Sequence, residues 1–456
     1  MQQDKNTQLA TQSIGKLLFK LSIPAVTAQL INMLYNMVDR MYIGRIPDVG
    51  ALALTGMGVC MPVILLISAF AALVSMGGAP RASIKMGEEN HEEAERILGN
   101  CTSTLLAISL VLTVVFLTFA EPLLLLFGAS ADTIGFALDY MRIYVMGTVF
   151  VQLALGLNAF ITAQGFAVTS MLTVLIGAVL NIVLDPIFIF AFDMGVKGAA
   201  LATVISQAVS AVWVVRFLRG KKSTLRLHLK NMKPDLPVIL PCLALGSAPF
   251  IMQATESILM ITFNTSLQKY GGDMAVGAMT ILSTVMQFAL LPLMGLSQGA
   301  QPIISYNYGA KNAERVKAAF IALLKVSILF SVCLWLAVQL FPQIFANIFT
   351  SDTVLVAYTA QYLRIYMATS VVMGVQLACQ QTFIAIGNAK TSLFLALLRK
   401  VFLLIPLIYM IPVWMADKVT AVFLAEPVTD FIAVTVTVIL FALQFRKALR
   451  GMRASA

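Results

Sequence analysis

Long apolar runs separated by short polar connections set the pattern of this chain. Runs of about 20 residues recur along the whole length, and a helix needs about 20 apolar residues to cross a hydrocarbon core of about 30 Å. The alternating pattern of a membrane β-barrel is absent, and lipid offers the backbone no hydrogen-bond partner, so helices are predicted. The twelve predicted spans are 17–42, 52–76, 97–119, 137–158, 166–190, 198–218, 238–265, 275–297, 317–341, 357–381, 391–412 and 419–444.

One constant difference in residue number, which we call the repeat offset, relates the two halves of the chain. The residue pairs that share the repeat offset include Tyr140 and Tyr362, Arg142 and Arg364, Gly165 and Gly387, Ser170 and Ser392, Pro80 and Pro302, and Asn90 and Asn312. Each half holds six spans, an even number, so both halves enter the membrane from the same side. The predicted fold is therefore an all-α membrane protein with twelve transmembrane helices in two six-helix bundles, related by a pseudo-two-fold axis along the membrane normal.

Composition agrees with a membrane protein and excludes several other classes. The chain has 456 residues, of which 59% are hydrophobic and only 11% are charged, whereas a soluble domain carries about 25% charged residues. No Gly-rich phosphate loop followed by Lys and Ser or Thr occurs, so ATP hydrolysis is not expected to drive it. The two histidines, His91 and His228, lie in polar stretches. We therefore predict no enzyme, no cofactor and no metal site other than a possible Na⁺ site, with an ion gradient as the energy source.

Lysine and arginine are distributed unevenly between the two ends of the predicted spans. The net charge of +10 would by itself suggest a nucleic-acid partner. However, 21 of the 31 basic residues, from Lys5 to Arg453, fall at the termini or in connections after even-numbered spans. The opposite connections hold only Arg45, Lys197, Lys269 and Lys418. The positive-inside rule then predicts cytoplasmic termini and no nucleic-acid partner. The predicted domains are an N-terminal lobe over 1–218, a cytoplasmic linker over 219–237 and a C-terminal lobe over 238–456.

Polar side chains inside the spans of the first half point to a coupling site. Such groups are costly in hydrocarbon and usually face the protein interior or a watery cavity. Spacings of three or four residues place them on shared helix faces. They are Gln29, Asn32, Asn36 and Asp39 in span one, Asn158 in span four, Asn181 and Asp185 in span five, and Thr203 in span six. Two carboxyl groups in a low-dielectric shell of amides and hydroxyls could take up a proton, or they could hold Na⁺.

Each acid also has a purely structural interpretation. Asp185 precedes Pro186 in a deeply apolar run, so it could cap a helix that the proline breaks. Asp39 lies near the outer end of its span beside Arg40, so the two could form an interfacial ion pair.

The second half carries a different set of polar groups. Glu256 lies in span seven and Arg399 in span eleven, so Arg399 could balance Glu256 structurally, or either could contact a substrate. Glu426 and Asp430, four residues apart in span twelve, form a further acidic pair.

The chain resembles the multidrug and toxic compound extrusion (MATE) family over essentially its whole length. The resemblance rests on the two six-span repeats and on the segments Ile23-Pro24-Ala25, Tyr35-Asn36-Met37-Val38-Asp39, Gln164-Gly165, Asn181-Ile182-Val183-Leu184-Asp185-Pro186 and Gly198-Ala199-Ala200-Leu201-Ala202-Thr203. It implies a V-shaped pair of lobes around a central cavity. Glu256 matches the second-lobe acid of a sodium-coupled branch, but span ten has Gln376, Gln380 and Gln381 where that branch has an acid.

The resemblance also implies a function. The chain is expected to be a monomeric antiporter of the bacterial inner membrane that exports lipophilic, mostly cationic compounds in exchange for H⁺ or Na⁺. The implied cation site is Asp39, Asn158, Asn181, Asp185 and Thr203, and Pro24 is the implied hinge. Expected substrate contacts are Gln29, Asn32, Asn36, Gln253, Glu256, Gln287 and Arg399. The alternative is a lipid-linked precursor flippase, whose cavity must be strongly cationic, with Arg399 and Lys400 as the chief candidates.

Overall fold

The computed structural model describes residues 8–349 and 352–454, so Lys5 lies outside the described residues. Within those ranges all regular secondary structure is helical. The helices of the first lobe are α1 (Ile14–Gly44), α2 (Gly50–Gly87), α3 (His91–Thr118), α4 (Ala120–Leu126), α5 (Ile134–Met146), α6 (Thr148–Ala163), α7 (Ala167–Pro186) and α8 (Gly195–Arg219). Those of the second lobe are α9 (Leu236–Ala254), α10 (Glu256–Gly309), α11 (Ala313–Leu340), α12 (Pro342–Asn347), α13 (Thr353–Tyr366), α14 (Ser370–Ala385), α15 (Ala389–Leu397), α16 (Ile405–Trp414) and α17 (Lys418–Ala454).

These helices make twelve passes. Nine segments of the described chain are long and apolar enough to cross a membrane, and two bent pairs, α5–α6 and α13–α14, each make one more pass. The longest segment, Leu236–Gly309, holds two passes because Gly272, with a φ of 64°, breaks its helical backbone. The predicted fold class is therefore confirmed.

The duplication is visible in backbone details as well as in sequence. Asn90 caps the N-terminus of α3 by accepting a hydrogen bond from the N–H of Glu93, and Asn312 caps α11 in the same way. Gly165 and Gly387, which are also related by the repeat offset, have φ values of 83° and 78°. The bent pairs occupy equivalent positions and bend by 56° and 48°. Both halves therefore share one folding pattern.

The lobes touch most closely near the end of the molecule that carries the start of α1. A Cβ atom on Gly77 of α2 would lie 1.9 Å from the carbonyl oxygen of Cys242 in α9. The equivalent Gly299 of α10 would meet the Cα of Ser22 in α1 at 2.6 Å. The Ser22 hydroxyl also donates a hydrogen bond of 3.3 Å to the carbonyl oxygen of Leu296. Only glycine permits this approach, since any side chain would clash.

The far end of α1 is less covered than its start. Farther along α1, the side chains of Leu34, Met37 and Met41 are about half exposed. We call the end at which α1 packs against α10 near Ser22 the closed end.

We expect Gly77→Ala to separate the lobes at their closed end, because the added methyl carbon overlaps the backbone of Cys242. The Cys242 thiol, which is only 1% exposed, should then react several-fold faster with a maleimide. Mass spectrometry of labelled peptides measures this rate, with buried Cys60 and Cys379 as internal references. The control is Gly58→Ala on the same helix, where nothing lies within 4 Å of the added atom. An unchanged rate in Gly77→Ala would contradict a rigid seal.

Candidate functional site

Four polar side chains from three helices meet inside the first lobe. Asp39 comes from α1, Asn181 and Asp185 from α7, and Thr203 from α8, and all four are buried. The Asn181 amide donates hydrogen bonds to Asp185 Oδ1 at 3.1 Å and to Thr203 Oγ1 at 3.3 Å. Asn181 and Asp185 share a face because they are one helical turn apart. The packing of α7 between α1 and α8 brings the other two residues to that face.

The carboxyl groups of Asp39 and Asp185 are close enough to interact electrostatically. Two like charges so close in a buried site repel each other strongly unless a proton or a cation lies between them. The pair is therefore suited to bind one small positive ion and to release it.

The structure does not support the structural alternatives for these acids. The helix α7 continues through Pro186 into a π-helical turn over Ile187–Ala191, so Asp185 caps no helix. The guanidinium of Arg40 is exposed and approaches Met61 Sδ at 3.5 Å, and no ion pair with Asp39 is found within the described chain. Both acids are left without a basic partner in direct contact.

Unsatisfied oxygen atoms occur on both acids and on two amides that line the adjoining cavity. Among the described residues, Asp39 Oδ1, Asp185 Oδ2, Asn181 Oδ1 and Asn158 Oδ1 are buried and accept no hydrogen bond. Buried acceptors are normally satisfied, so a group of them requires a physical reason. Carboxylate and amide oxygens are the ligands that hard cations prefer. The donor set therefore fits Na⁺, and the carboxyl pair fits a proton equally well.

A cavity adjoins this group. Its lining includes Asn32, Tyr35, Asn158, Asn181 and Thr203, and its volume is about 40 Å³. This is enough for one or more waters, so an ion could reach the oxygens in a hydrated form. Sequence reasoning missed Tyr35, although its position one turn before Asp39 could have indicated it.

Asn158 also has a role that both lobes share. Its amide nitrogen donates to the carbonyl oxygen of Ser170 at 3.2 Å, and the equivalent Gln380 donates to the carbonyl oxygen of Ser392 at 3.0 Å. The nitrogen therefore braces the next span in each lobe, and in both lobes the side-chain oxygen of this residue accepts no hydrogen bond.

The second lobe does not repeat this acidic pair. At the repeat offset, Asn181 and Asp185 correspond to Leu403 and Leu407. Apolar side chains offer no ligand to a cation, so the α7 half of the candidate site occurs in the first lobe alone.

The polar residues Gln29, Asn32, Asn36 and Asp39 form a stripe along α1, and they face both lobes. Asn32 lines the first-lobe cavity. The Gln29 amide lies 3.3 Å from Gln298 Oε1 of the second lobe and donates to it. Asn36 is exposed and donates at 2.7 Å to the carbonyl oxygen of Asn32. Pro24 is buried, and α1 continues through it without a break.

In the second lobe, the structure contradicts the alternative in which Arg399 is the direct partner of Glu256. Lys400 is the direct partner of Glu256, with Nζ and Oε1 2.6 Å apart. Arg399 instead bonds Glu426 at 2.9 Å and Asp430 at 2.7 Å. The reason is that Glu426 and Asp430 lie one turn apart on α17 and together present two carboxylates to one guanidinium.

The remaining expected substrate contacts of the second lobe lie on neighbouring helices. Gln253 is half-buried near the end of α9, and Gln287 is exposed on α10. The two candidate bases, Arg399 and Lys400, are engaged by carboxylates, so they do not form the cationic cavity that a pyrophosphate requires. The flippase alternative is therefore not favoured.

Comparisons with known proteins agree with this architecture. The family model MatE matches residues 24–187 and 249–410. The chain is similar to the multidrug export protein MepA of Staphylococcus haemolyticus (strain JCSC1435), with 25% identity over 426 residues that cover 92% of each chain. It is similar in fold to a crystal structure of a MATE protein in the bent conformation, with a TM-score of 0.92 and 22% identity over 98% of this chain and 99% of the other. An outward-facing multidrug resistance MATE transporter of the MOP superfamily gives a TM-score of 0.89, with 23% identity over 97% and 98%.

Proposed function

This chain belongs to the MatE family of multidrug efflux transporters, and on that premise we propose that it exports lipophilic cations in exchange for H⁺ or Na⁺. The observation that carries the proposal is the buried Asp39–Asp185 pair, in which each acid has one unsatisfied oxygen atom, beside a cavity lined by the unsatisfied amide oxygens of Asn158 and Asn181. Members of the family are transporters and not enzymes, as the sequence predicts. The multidrug exporters among the relatives support a small-molecule substrate.

The coupling step follows from the chemistry of the first-lobe site. Asp39 and Asp185 take up the ion, and Asn158, Asn181 and Thr203 supply oxygen ligands around it. Binding removes the repulsion between the two carboxylates, so it favours the arrangement in which α1 and α7 are close together. Release to the other side favours their separation. An ion can drive a conformational change only through such a difference in affinity between two states.

Pro24 is the proposed hinge of α1. Proline lacks an N–H, so one helical hydrogen bond is missing within the segment that packs against α10 and ahead of Gln29, the first polar residue of the stripe. A bend there would move Asp39 relative to Asp185.

The proposed substrate path runs between the lobes. Gln29, Asn32 and Asn36 approach it from α1, while Gln253, Glu256 and Gln287 approach it from α9 and α10. Glu256 is the anionic group available to a cation, because its side chain is 55% exposed. Arg399 acts here by holding Glu426 and Asp430 rather than by direct contact. The protein is proposed to function as a single chain in a bacterial inner membrane, with both termini cytoplasmic and lobes over 1–218 and 238–456 joined by the linker 219–237.

Proteoliposomes loaded with a fluorescent lipophilic cation test this function. We expect one of the two gradients, pH or Na⁺, to drive transport of the cation when it is imposed alone. The gradient that drives transport identifies the coupling ion. Liposomes with the Asp185→Asn variant serve as the uncoupled control. Transport that ignores both gradients would refute antiport.

We expect Pro24→Ala to lower the transport rate several-fold without weakening ion binding. Alanine restores the missing N–H and straightens α1, so the bend becomes harder to reach. Initial rates in proteoliposomes measure the effect. Ala25→Gly on the same helix is the comparison, because it loosens the backbone without adding a donor. An unaltered rate in Pro24→Ala would remove the hinge from the mechanism.

A further inference from the structure

The second lobe contains a charge network, buried except at Glu256, that lacks one positive charge. Three carboxylates, Glu256, Glu426 and Asp430, face two bases, Arg399 and Lys400. Arg399 is shared by Glu426 and Asp430, which leaves Lys400 as the direct partner of Glu256. If all five groups are ionised, the network carries one unit of negative charge, which a bound monovalent cation would complete.

The two bases of the network stand at positions that line the cavity in the first repeat. At the repeat offset, Arg399 and Lys400 correspond to Gly177 and Ala178, which line the first-lobe cavity. Where the first lobe leaves space for a mobile ion, the second lobe therefore places two cations that are tethered to the chain. Both lie in the π-helical turn over Leu398–Leu404, a geometry that often marks functional sites.

The Glu256–Lys400 pair lies at the exposed edge of the network. The Lys400 side chain is 8% exposed, whereas that of Glu256 is 55% exposed. An exposed carboxylate within a span faces water rather than lipid. A cation on the proposed substrate path between the lobes can thus approach the exposed Glu256 carboxylate.

We propose that Lys400 is a tethered competitor of the substrate: its ammonium group neutralises Glu256 when the cavity is free, and a lipophilic monovalent cation binds Glu256 by displacing it. This inference rests on the proposed export of cations. Return of the ammonium group to Glu256 then expels the substrate cation, so Lys400 both limits affinity and promotes release.

The displaced ammonium group has a second position. Lys400 is already close enough to Glu426 to interact with it electrostatically. Movement toward Glu426 keeps the lysine charge compensated while Glu256 is bound to substrate. Three acids are then matched by Arg399, Lys400 and the substrate.

The test measures the Kd of tetraphenylphosphonium for the purified full-length protein. We expect Lys400→Met to lower the Kd at least about tenfold, because a close charged competitor is removed, and to slow turnover in proteoliposomes because release loses its driving group. Glu256→Gln should raise the Kd. In a Glu256→Gln background, Lys400→Met should have little further effect. A Kd that rises or stays unchanged in Lys400→Met would overturn the proposal, since a merely structural lysine predicts either result.

Two further variants keep the test decisive. Lys400→Arg retains the charge and serves if Lys400→Met does not fold; its guanidinium should hold Glu256 more firmly and raise the Kd several-fold. Equal or tighter binding in Lys400→Arg would contradict the inference. Lys269→Met, which removes an exposed lysine of the same lobe, controls for loss of one charge. If the wild-type protein neither binds nor exports the probe, the proposed function itself fails. If it exports the probe but substitution of Lys400 leaves the Kd unchanged, only the role of Lys400 is refuted.

Discussion

Asp185→Asn is expected to reduce gradient-driven export to the level of protein-free liposomes while the protein still folds. The amide is close in shape to the carboxylate, and its oxygen can still accept the hydrogen bond that Asn181 donates at 3.1 Å. It can neither take up a proton nor supply a negative charge to Na⁺. The repulsion with Asp39 that an entering ion relieves is therefore absent, and the ion no longer favours one conformation over the other.

The measurement is uptake of a fluorescent cation under an imposed pH or Na⁺ gradient, accompanied by the thermal midpoint of the purified protein. Asp139→Asn is the matched control, because Asp139 is an exposed acid of the same lobe, 3.4 Å from Lys197. A normal drug gradient in Asp185→Asn would show that coupling resides elsewhere. Loss of folding in that variant would instead make Asp185 a structural residue.

The fold could be predicted from the sequence because the features that indicate it occur many times along the chain. Apolar runs of membrane length and pairs of residues at the repeat offset each occur many times, so errors in single spans cancel. Helix ends were harder to predict. Span two was expected to end at 76, but α2 runs to Gly87 because nothing stops the helix until Glu89 adopts a φ of 60°. Hydrophobicity reports where lipid ends, whereas backbone conformation decides where a helix ends.

Local parts of the proposed ion site could be predicted, and its assembly could not. The four-residue spacing of Asn181 and Asp185 places both on one face of α7 without any tertiary information. That Asp39 lies opposite Asp185 depends on how α1 packs against α7. No spacing within one helix contains that contact, so only the resemblance to a family pointed to it in advance.

In the second lobe, the ion-pair partner of Glu256 could not be predicted from the sequence. Arg399 and Lys400 are neighbours in sequence, and adjacent helical residues point about 100° apart. Which of them reaches Glu256 depends on the local rotation of the helix, and the π-helical turn changes that rotation. A π-helical turn has no reliable signature in a single sequence, so the partner of Glu256 had to come from the structure.

Arg399→Met is expected to be the most destabilising single change in the second lobe, at roughly 3–5 kcal/mol, which is typical of removing one partner from a buried ion pair. It leaves the Glu426 and Asp430 side chains, only 6% and 7% exposed, facing each other without a base. The thermal midpoint of the purified protein should fall by several degrees. The comparison is Arg364→Met, because Arg364 is an exposed arginine on α13 and should be almost neutral.

A second variant separates charge from packing at this position. If the cost is uncompensated charge, then adding Glu426→Gln and Asp430→Asn to Arg399→Met should restore most of the lost stability, because no buried charge remains. If the cost were lost packing of the long arginine stem, the triple variant would be no more stable than Arg399→Met. Recovery would mean that the second lobe maintains its charges at a cost in stability. The presence of these charged side chains would then be explained by the excess negative charge of the network, which attracts a cation to Glu256.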